Sequence, residues 1–424
     1  MLIRTMVAAV LVLAPTASPA QEQEQSEAEA AATRRVSSMR ESVYKELAKA
    51  QEQADAKQYA DALRALDDLR DDDLNSYERS QVWNLYAYVH HAQQRYPEAI
   101  QAFEKVLGEE ELDPALESGA LYGLALLYLS TEQWGKSIEK MNRWLAQGDP
   151  DRAQAHEVLA NAHYQLGEYR EAIPAMRKAI DLRQAAGQDV DEQAYLLLRS
   201  AYTEVQEFAR AADVLEELIT RYPGEKYWMQ LAATYGEAGD SQKQLSVLEL
   251  AYLQGFLDSE AELLALAGLQ LRNGLPFQAG KVLEKGLETG ALQSTLENWR
   301  LLSQAWTLAH EDRRAIPALT RAAQLAESGE LELVLAQTYF NLEEWQSAAE
   351  AARAGIRKGG LSRSDQADVL LGQVLFNLGA FDESRQAFER AQSDSRSRKL
   401  AAQWLTYIES ELDRQGRLRA ALEE

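Results

Sequence analysis

From Val43 onward the chain repeats one pattern of small, aromatic and branched apolar positions, separated by polar ones, about every 33 to 39 residues. The clearest copy is Leu159–Ala179, LANAHYQLGEYREAIPAMRKA. Counted from Ala160, its marked residues are His163, Gly167, Tyr169, Ala172, Met176 and Ala179. The last three fall three and four apart, which is one face of a helix. Leu159, Ala160 and His163 make the matching face of a helix before them. The pattern predicts two short amphipathic helices meeting at a turn on Gly167.

Ten copies are legible. The first pairs Lys49, Ala50 and Gln53 with Tyr59, Ala62, Leu66 and Leu69, and is degenerate where bulk is expected, as a terminal repeat should be. The second runs through Trp83, Tyr86, Ala87, His90, Tyr96, Ala99 and Phe103. The third has Leu124, Ala125, Tyr128, Trp134, Ser137 and Met141, and Leu159–Ala179 is the fourth. The fifth, with Tyr195, Leu198, Tyr202, Phe208 and Ala211, carries Arg199 where a small residue normally separates the helices. That predicts either splayed helices or an arginine that snorkels outward. The sixth has Trp228, Ala232, Tyr235 and Gly239, with Gln244 in place of the usual alanine. The seventh, from Leu266 through Gly274, Ala279 and Leu283, is looser. The eighth has Leu302, Ser303, Trp306 and Ala315; the ninth has Ala336, Tyr339, Trp345 and Ala348. The tenth has Gly372, Gly379, Phe381, Ser384 and Phe388.

A period of this length built from two helices resembles the tetratricopeptide repeat. The resemblance implies an all-α fold: a right-handed superhelical solenoid of about ten helix–turn–helix repeats, closed by a C-terminal capping helix. The expected divisions are an export signal over 1–20, a polar acidic leader over 21–42, the solenoid over 43–395, and the capping helix with its tail over 396–424. In the cap, Leu400, Trp404, Tyr407, Ile408 and Leu412 form an apolar face. Asp113-Pro114, Asp149-Pro150 and the Ser259…Glu262 pair are expected helix starts. The repeated alanines, Ala99 and Ala172 among them, mark where two helices approach closely.

The ends change the picture. Arg4, the apolar run Met6–Ala14, and small Ser18 and Ala20 before polar Gln21 read as a secretory signal, too short to span a bilayer comfortably. No cysteine lies near the expected cleavage point for lipid attachment, so the expectation is a periplasmic protein without membrane insertion once the signal is removed. The formal charge is -23. The signal carries one arginine and no acid, so the mature chain is expected at −24 (−23 − 1). Such a surface repels nucleic acid, which is bound by neutralising its phosphates. The chain has no cysteine, which excludes disulfides and thiolate metal sites.

No catalytic chemistry stands out. His90 and His163 occupy a slot that holds tyrosine in other repeats. His156 and His163 share a helix, but no metal-ligand spacing accompanies them. There is no nucleophile elbow, phosphate loop or dinucleotide turn. The expectation is a non-enzymatic chain with no metal and no cofactor.

Partner binding in such a solenoid is expected on the concave face, lined by the first helix of each repeat. With Leu159, Ala160 and His163 turned to the core, the free stripe of the fourth repeat is Glu157, Asn161 and Tyr164. The same register gives Asn84, Tyr88 and His91, then Tyr122, Leu126 and Leu129. Near the C-terminus it gives Leu333, Gln337 and Phe340, then Val369, Gln373 and Phe376. Aromatic and leucine side chains beside amides suit an extended or helical peptide.

The layout is also similar to the periplasmic tetratricopeptide proteins that accompany TonB–ExbB–ExbD systems. The residues that carry this are Gly359-Gly360-Leu361, Val369-Leu-Leu-Gly372, Phe376-Asn-Leu-Gly379, Phe381-Asp-Glu-Ser384 and Ala401-Ala-Gln-Trp404-Leu-Thr-Tyr407. The resemblance implies an accessory of TonB-dependent uptake of iron complexes, with TonB, ExbB or ExbD components as protein partners. The alternative is a scaffold or chaperone for envelope assembly, in outer-membrane protein or polysaccharide export.

Overall fold

A computed structural model describes residues 39–423 apart from 71 and 111. Among the described residues there are 21 α-helices and no strand, and the chain divides into two compact units, one ending at Pro223 and one beginning at Gly224. The expected export signal and nearly all of the polar leader lie outside the described residues.

The helices come in pairs. In unit 1 these are α1 (Glu41–Asp55) with α2 (Tyr59–Arg70), α3 (Ser76–Ala92) with α4 (Tyr96–Leu107), α5 (Pro114–Ser130) with α6 (Trp134–Gln147), α7 (Ala153–Gln165) with α8 (Tyr169–Ala185), and α9 (Glu192–Glu204) with α10 (Phe208–Arg221). In unit 2 they are α11 (Glu225–Glu237) with α12 (Ser241–Gln254), α13 (Glu260–Arg272) with α14 (Pro276–Thr289), α15 (Leu296–Leu308) with α16 (Asp312–Leu325), α17 (Glu330–Asn341) with α18 (Trp345–Lys358), and α19 (Ser364–Asn377) with α20 (Phe381–Gln392). The last helix, α21 (Arg398–Glu423), packs on α20. Ten hairpins and one closing helix match the ten sequence repeats.

One backbone device makes all ten hairpins. Each turn holds a single left-handed residue, at Lys57, Gln94, Glu132, Gly167, Gln206, Gly239, Gly274, His310, Glu343 and Gly379, with φ between 58° and 76°. The N–H of the next residue donates to the carbonyl five positions back, as Arg95 does to His90 and Glu168 to His163, at 2.8–2.9 Å. This closes the free carbonyl end of the first helix and reverses the chain. Glycine meets that conformation without strain at Gly167; at Gln206 or Glu343 a side chain must tolerate it.

Past the turn the two helices cross at small residues. Ala62, Ala99, Ala172, Ala211, Ala279, Ala315 and Ala348 are all fully buried at the crossing, facing Ala50, Ala87, Ala160 and their equivalents. Where serine replaces alanine it adds a bond: the Ser137 hydroxyl donates to the Ala125 carbonyl and that of Ser384 to Gly372, each at 2.7 Å. The exceptions resolve simply. Gln244 fits because Gly236 opposite has no side chain; a Cβ there would sit 2.8 Å from the amide nitrogen of Gln244. Arg199 stays half-buried and turns toward Ser200, whose hydroxyl accepts from Nη2 at 3.3 Å, while α9 and α10 still pair.

Helix starts follow their caps. Asp113 accepts from the N–H groups of Ala115 and Leu116 (2.9 and 3.1 Å), and Ser259 with Glu262 forms a capping box. Asn75 with Glu78 forms another that the sequence pattern had not marked. Asp149-Pro150 does not start a helix. Asp149 instead accepts from the N–H of Asp151 (3.0 Å) in a turn, and α7 begins at Ala153.

Candidate partner-binding face

The first helices of the hairpins are neighbours: α1 packs on α3, α5 on α7, α7 on α9, and α17 on α19. Positions counted back from the left-handed turn residue therefore repeat along their shared face. The position three before the turn carries His91, Leu129, Tyr164, Phe340 and Phe376; six before it lie Tyr88, Leu126, Asn161, Gln337 and Gln373.

The aromatic residues nearest the turn close their own hairpins. Tyr164 meets Tyr169, Phe340 meets Trp345 and Phe376 meets Phe381, each edge-to-face with ring centroids 5.2, 5.2 and 5.3 Å apart. His91 lies 6.1 Å from Tyr96 across its own turn, with the rings tilted at 45°. Each pair joins the end of one helix to the first residue of the next. Phe376 is further covered by Trp404 and Tyr407 of α21, at 5.4 and 5.2 Å. Burial holds the His91 imidazole below its usual pKa, so the ring is neutral at pH 7.

Three of the expected groove residues do not line an open groove. Tyr122 is only 6% exposed, with its ring 5.2 Å from Trp144 and the Arg152 guanidinium 5.5 Å above it. Burial pushes its phenol pKa up. Glu157 is 7% exposed and held by Arg183, whose Nε and Nη2 donate to its two carboxylate oxygens. A carboxylate sunk this far needs that cation, because desolvation without a partner is costly. Val369 is likewise buried. The one-face pattern failed at Tyr122 and Glu157 because Trp144 of α6, Arg152 before α7 and Arg183 of α8 reach over them, and at Val369 because it joins the cluster of Phe388, Ala391, Ala401 and Ile408.

The remaining positions stay accessible. Asn84, Leu126 and Leu129 are half-buried. Tyr88 is half-buried and donates its hydroxyl to Asp55 of α1 at 3.2 Å; burial, then Asp55, raises its pKa. Asn161 donates to its own helix at the Glu157 carbonyl (2.8 Å), leaving its side-chain oxygen free to accept. Gln337 is exposed and donates to Asn341 at 3.0 Å, and Gln373 is half-buried. Val334, 44% exposed beside Gln337, and half-buried Ser200 on α9 join the face; neither stands out in the sequence, since only counting from the turn finds them.

A separate shallow depression of about 500 Å³ lies between α3 and α4, lined by Trp83, Gln101, Glu104, Lys105, Gly108 and Glu109. The Lys105 ammonium sits 3.7 Å over the Trp83 ring and covers it. Among the described residues no group of three or more histidines, cysteines or carboxylates is placed to hold a metal, and no helix is long and apolar enough to cross a membrane.

The family description "Tetratricopeptide repeat" matches residues 47–117, 122–190 and 333–398. Those three stretches carry tetratricopeptide repeats. Between the matched stretches, residues 191–332 build the same hairpins on the same left-handed turn. Among solved structures, the C-terminal part of a TPR repeat-containing protein from Cytophaga hutchinsonii is similar at 15% identity, covering 66% of this chain and 95% of that one, with a TM-score of 0.37. A tetratricopeptide repeat protein from Parabacteroides merdae is similar at 14% identity, covering 70% and 99%, also at 0.37. The MamA protein is similar at 21% identity over 41% of this chain and 90% of its own, at 0.34. No curated protein matches the chain. Tetratricopeptide repeats are typical of non-catalytic scaffolds suited to protein–protein interaction.

Proposed function

We propose that this chain is a periplasmic adaptor that holds a segment of a protein partner along the first-helix face of its hairpins. The observation that carries the reading is the accessible line of Tyr88, Leu126 and Asn161 in unit 1, repeated by Gln337 and Gln373 in unit 2. Half-buried leucine and tyrosine offer apolar contact without further ordering, and the free amide groups pair with a partner's backbone. Tetratricopeptide stacking leaves these positions to specificity, because the small and aromatic slots are already spent on the fold.

In its finer form the proposal is an accessory of TonB-dependent uptake. Its support is the likeness of residues 359–411 to the periplasmic tetratricopeptide proteins that accompany TonB–ExbB–ExbD, together with the export-type N-terminus expected from the sequence.

The general reading is tested with Leu126→Glu combined with Asn161→Arg, two changes at half-buried positions of that face, Leu126 at the edge of the core. The double variant should keep its helicity and lose at least about tenfold in affinity for the partner captured by the wild-type chain. Unchanged capture would overturn the face assigned here. The finer reading is tested in a deletion strain supplied with ferric siderophore or haem as sole iron source and lacking any second TonB system. Impaired growth restored by the wild-type gene is expected; normal growth would remove the uptake role and leave the adaptor.

A further inference from the structure

The outer side of the closing helix is unusual for a cap. Terminal repeats of a solenoid are expected to turn a polar face to solvent. Yet α21 leaves Leu400, Tyr407 and Leu418 exposed at 43%, 54% and 50%. It is also long: 26 residues, or about 39 Å at 1.5 Å per residue. Its packing on the last hairpin reaches Leu412, after which Asp413, Arg414, Arg417 and Leu418 stand in solvent.

Leu400, Trp404, Tyr407, Glu411, Arg414 and Leu418 follow one another at alternating steps of four and three residues, with a single helical stripe as the result. Within the stripe the only charges are Glu411 and Arg414, joined to each other by Nε and Nη2 contacts of 2.8 and 2.6 Å. The stripe is therefore apolar at both ends with one acid and one base between.

We propose that the part of this stripe from Tyr407 to Leu418 is the docking surface for a second copy of the same chain, with the two α21 helices antiparallel and Glu411 of each facing Arg414 of the other. Charge selects the direction. A parallel pair would set Glu411 against Glu411 and Arg414 against Arg414, two like-charge contacts in the seam. The antiparallel pair sets acid against base twice, and the same register brings Tyr407 of each copy onto Leu418 of the other. A register shifted by one heptad would bring Arg414 onto Trp404, which is already stacked 5.3 Å from Phe388 inside its own hairpin. Arginine has enough donors to keep its present contact while serving the second copy. The surface is self-complementary, as a two-fold interface must be. Few side chains contribute, so the association is concentration-dependent; the stripe adjoins the end of the first-helix face, where Tyr407 lies 5.2 Å from Phe376.

The test is sedimentation equilibrium on the full chain over a concentration series, with circular dichroism to confirm helicity. The wild type should dimerise. Glu411→Arg alone gives each copy two facing arginines, and Arg414→Glu alone two facing acids; each should weaken self-association by about tenfold or more. Mixed together, the two variants should form a heterodimer, since every seam contact is then opposite in sign. Leu418→Asp should also weaken dimerisation. A wild type that stays monomeric at its highest soluble concentration overturns the proposal. Variants that dimerise as well as the wild type, or a mixture that does not associate, overturn the assigned register and with it the proposal.

Discussion

The two units build the same hairpin, and both bridge hairpins with arginine–glutamate pairs (Arg314 with Glu284 and Arg353 with Glu383 in unit 2), but the acids of their first helices find different partners. In unit 1 Arg40 with Glu78 and Arg79 with Glu109 reach from one hairpin toward the next, while Arg143 with Glu117 and Arg183 with Glu157 tie together the two helices of a single hairpin. In unit 2 an acid in the first turn of one helix accepts from the loop that opens the next hairpin. Glu260 accepts from the N–H of Gln293 (3.2 Å) and the amide of Asn298 (2.7 Å), Glu330 from the N–H of Ser362 (2.6 Å), and Asp365 from the Ser397 hydroxyl (2.6 Å). An acid at a helix start also faces the positive end of the helix dipole, so one side chain serves two purposes. Unit 2 further replaces side chains with glycine where packing is tightest. Gly280 lies under Trp306 and Gly372 under Phe388, where a Cβ would fall 2.8 and 2.7 Å from the ring. What the contrast teaches is that the repeat prescribes the hairpin and leaves the joint free.

The largest expected effect breaks that contrast at its tightest point. In unit 2 the Gly329 N–H donates to the Gly359 carbonyl at 2.8 Å, and a Cβ on Gly329 would lie 2.1 Å from the carbonyl oxygen of Gly355. That neighbour is backbone and cannot step aside. Gly329→Ala should destabilise unit 2 by about 3 kcal/mol or more, seen as a lowered midpoint in urea. Gly123→Ala in unit 1 meets only the edge of the Phe103 ring, at 3.0 Å, and should cost about 1 kcal/mol or less. Equal effects would mean that the two units are packed alike.

Next in size are the buried acids at the two ends. The Arg40 guanidinium holds the Glu78 carboxyl down at about 2, and Arg363 with Ser397 holds Asp365 below its usual range. Both shifts are downward on folding, so each contribution is complete above the unfolded pKa, near 4.5 for Glu78, and fades as pH falls toward the folded value. Hydrogen exchange should show α1 losing protection between pH 4.5 and about 2, and Glu78→Gln should flatten that dependence. Asp365→Asn at neutral pH should lower the protection of α21 by about tenfold and red-shift Trp404 fluorescence while leaving α1 alone. If α1 responded as strongly, the joints would not be local.

The smallest effect sharpens the comparison at the turns. Unit 1 places Lys57, Gln94, Glu132 and Gln206 in left-handed geometry and glycine at its hairpin turns only at Gly167; unit 2 uses glycine at Gly239, Gly274 and Gly379, with His310 and Glu343 at its other two turns. Gln206→Gly should stabilise unit 1 by up to about 1 kcal/mol, and Gly167→Ala should lose about as much. A thermal midpoint that moves in the opposite direction for either would show that the turn residue is held by something other than its backbone.

The hairpins were legible in the sequence because a helix crossing admits only small residues and a reversal admits few backbone shapes. Ala99, Ala172 and Gly167 therefore announce themselves. The partner face was legible only in part. Asn84, Leu126, Asn161 and Gln337 fall where the register put them, but Tyr122 and Glu157 are covered, by Trp144 and by Arg183. Those contacts come from another helix 22 or more residues away, and no single-helix stripe records them. The aromatic pairs from Tyr164 to Tyr169 and from Phe376 to Phe381 were visible as residues, yet their edge-to-face meeting depends on the path of the turn between them. The joints were hidden for a similar reason: Glu330 and Ser362 are unremarkable residues until the hairpins stack.

A chain whose helices touch mainly their neighbours in sequence has a mechanical consequence. Pulled by its ends, each unit meets the load, among the described residues, mainly at contacts between neighbouring helices. The left-handed turns keep each helical pair together while the joints between pairs give way, so extension should proceed in small steps rather than one rupture. Each step releases one hairpin, roughly 100 Å of extended chain. On relaxation each pair needs only its own local contacts to reform. The molecule should act as a reversible spring, able to lengthen under load between two attachment points and recoil intact.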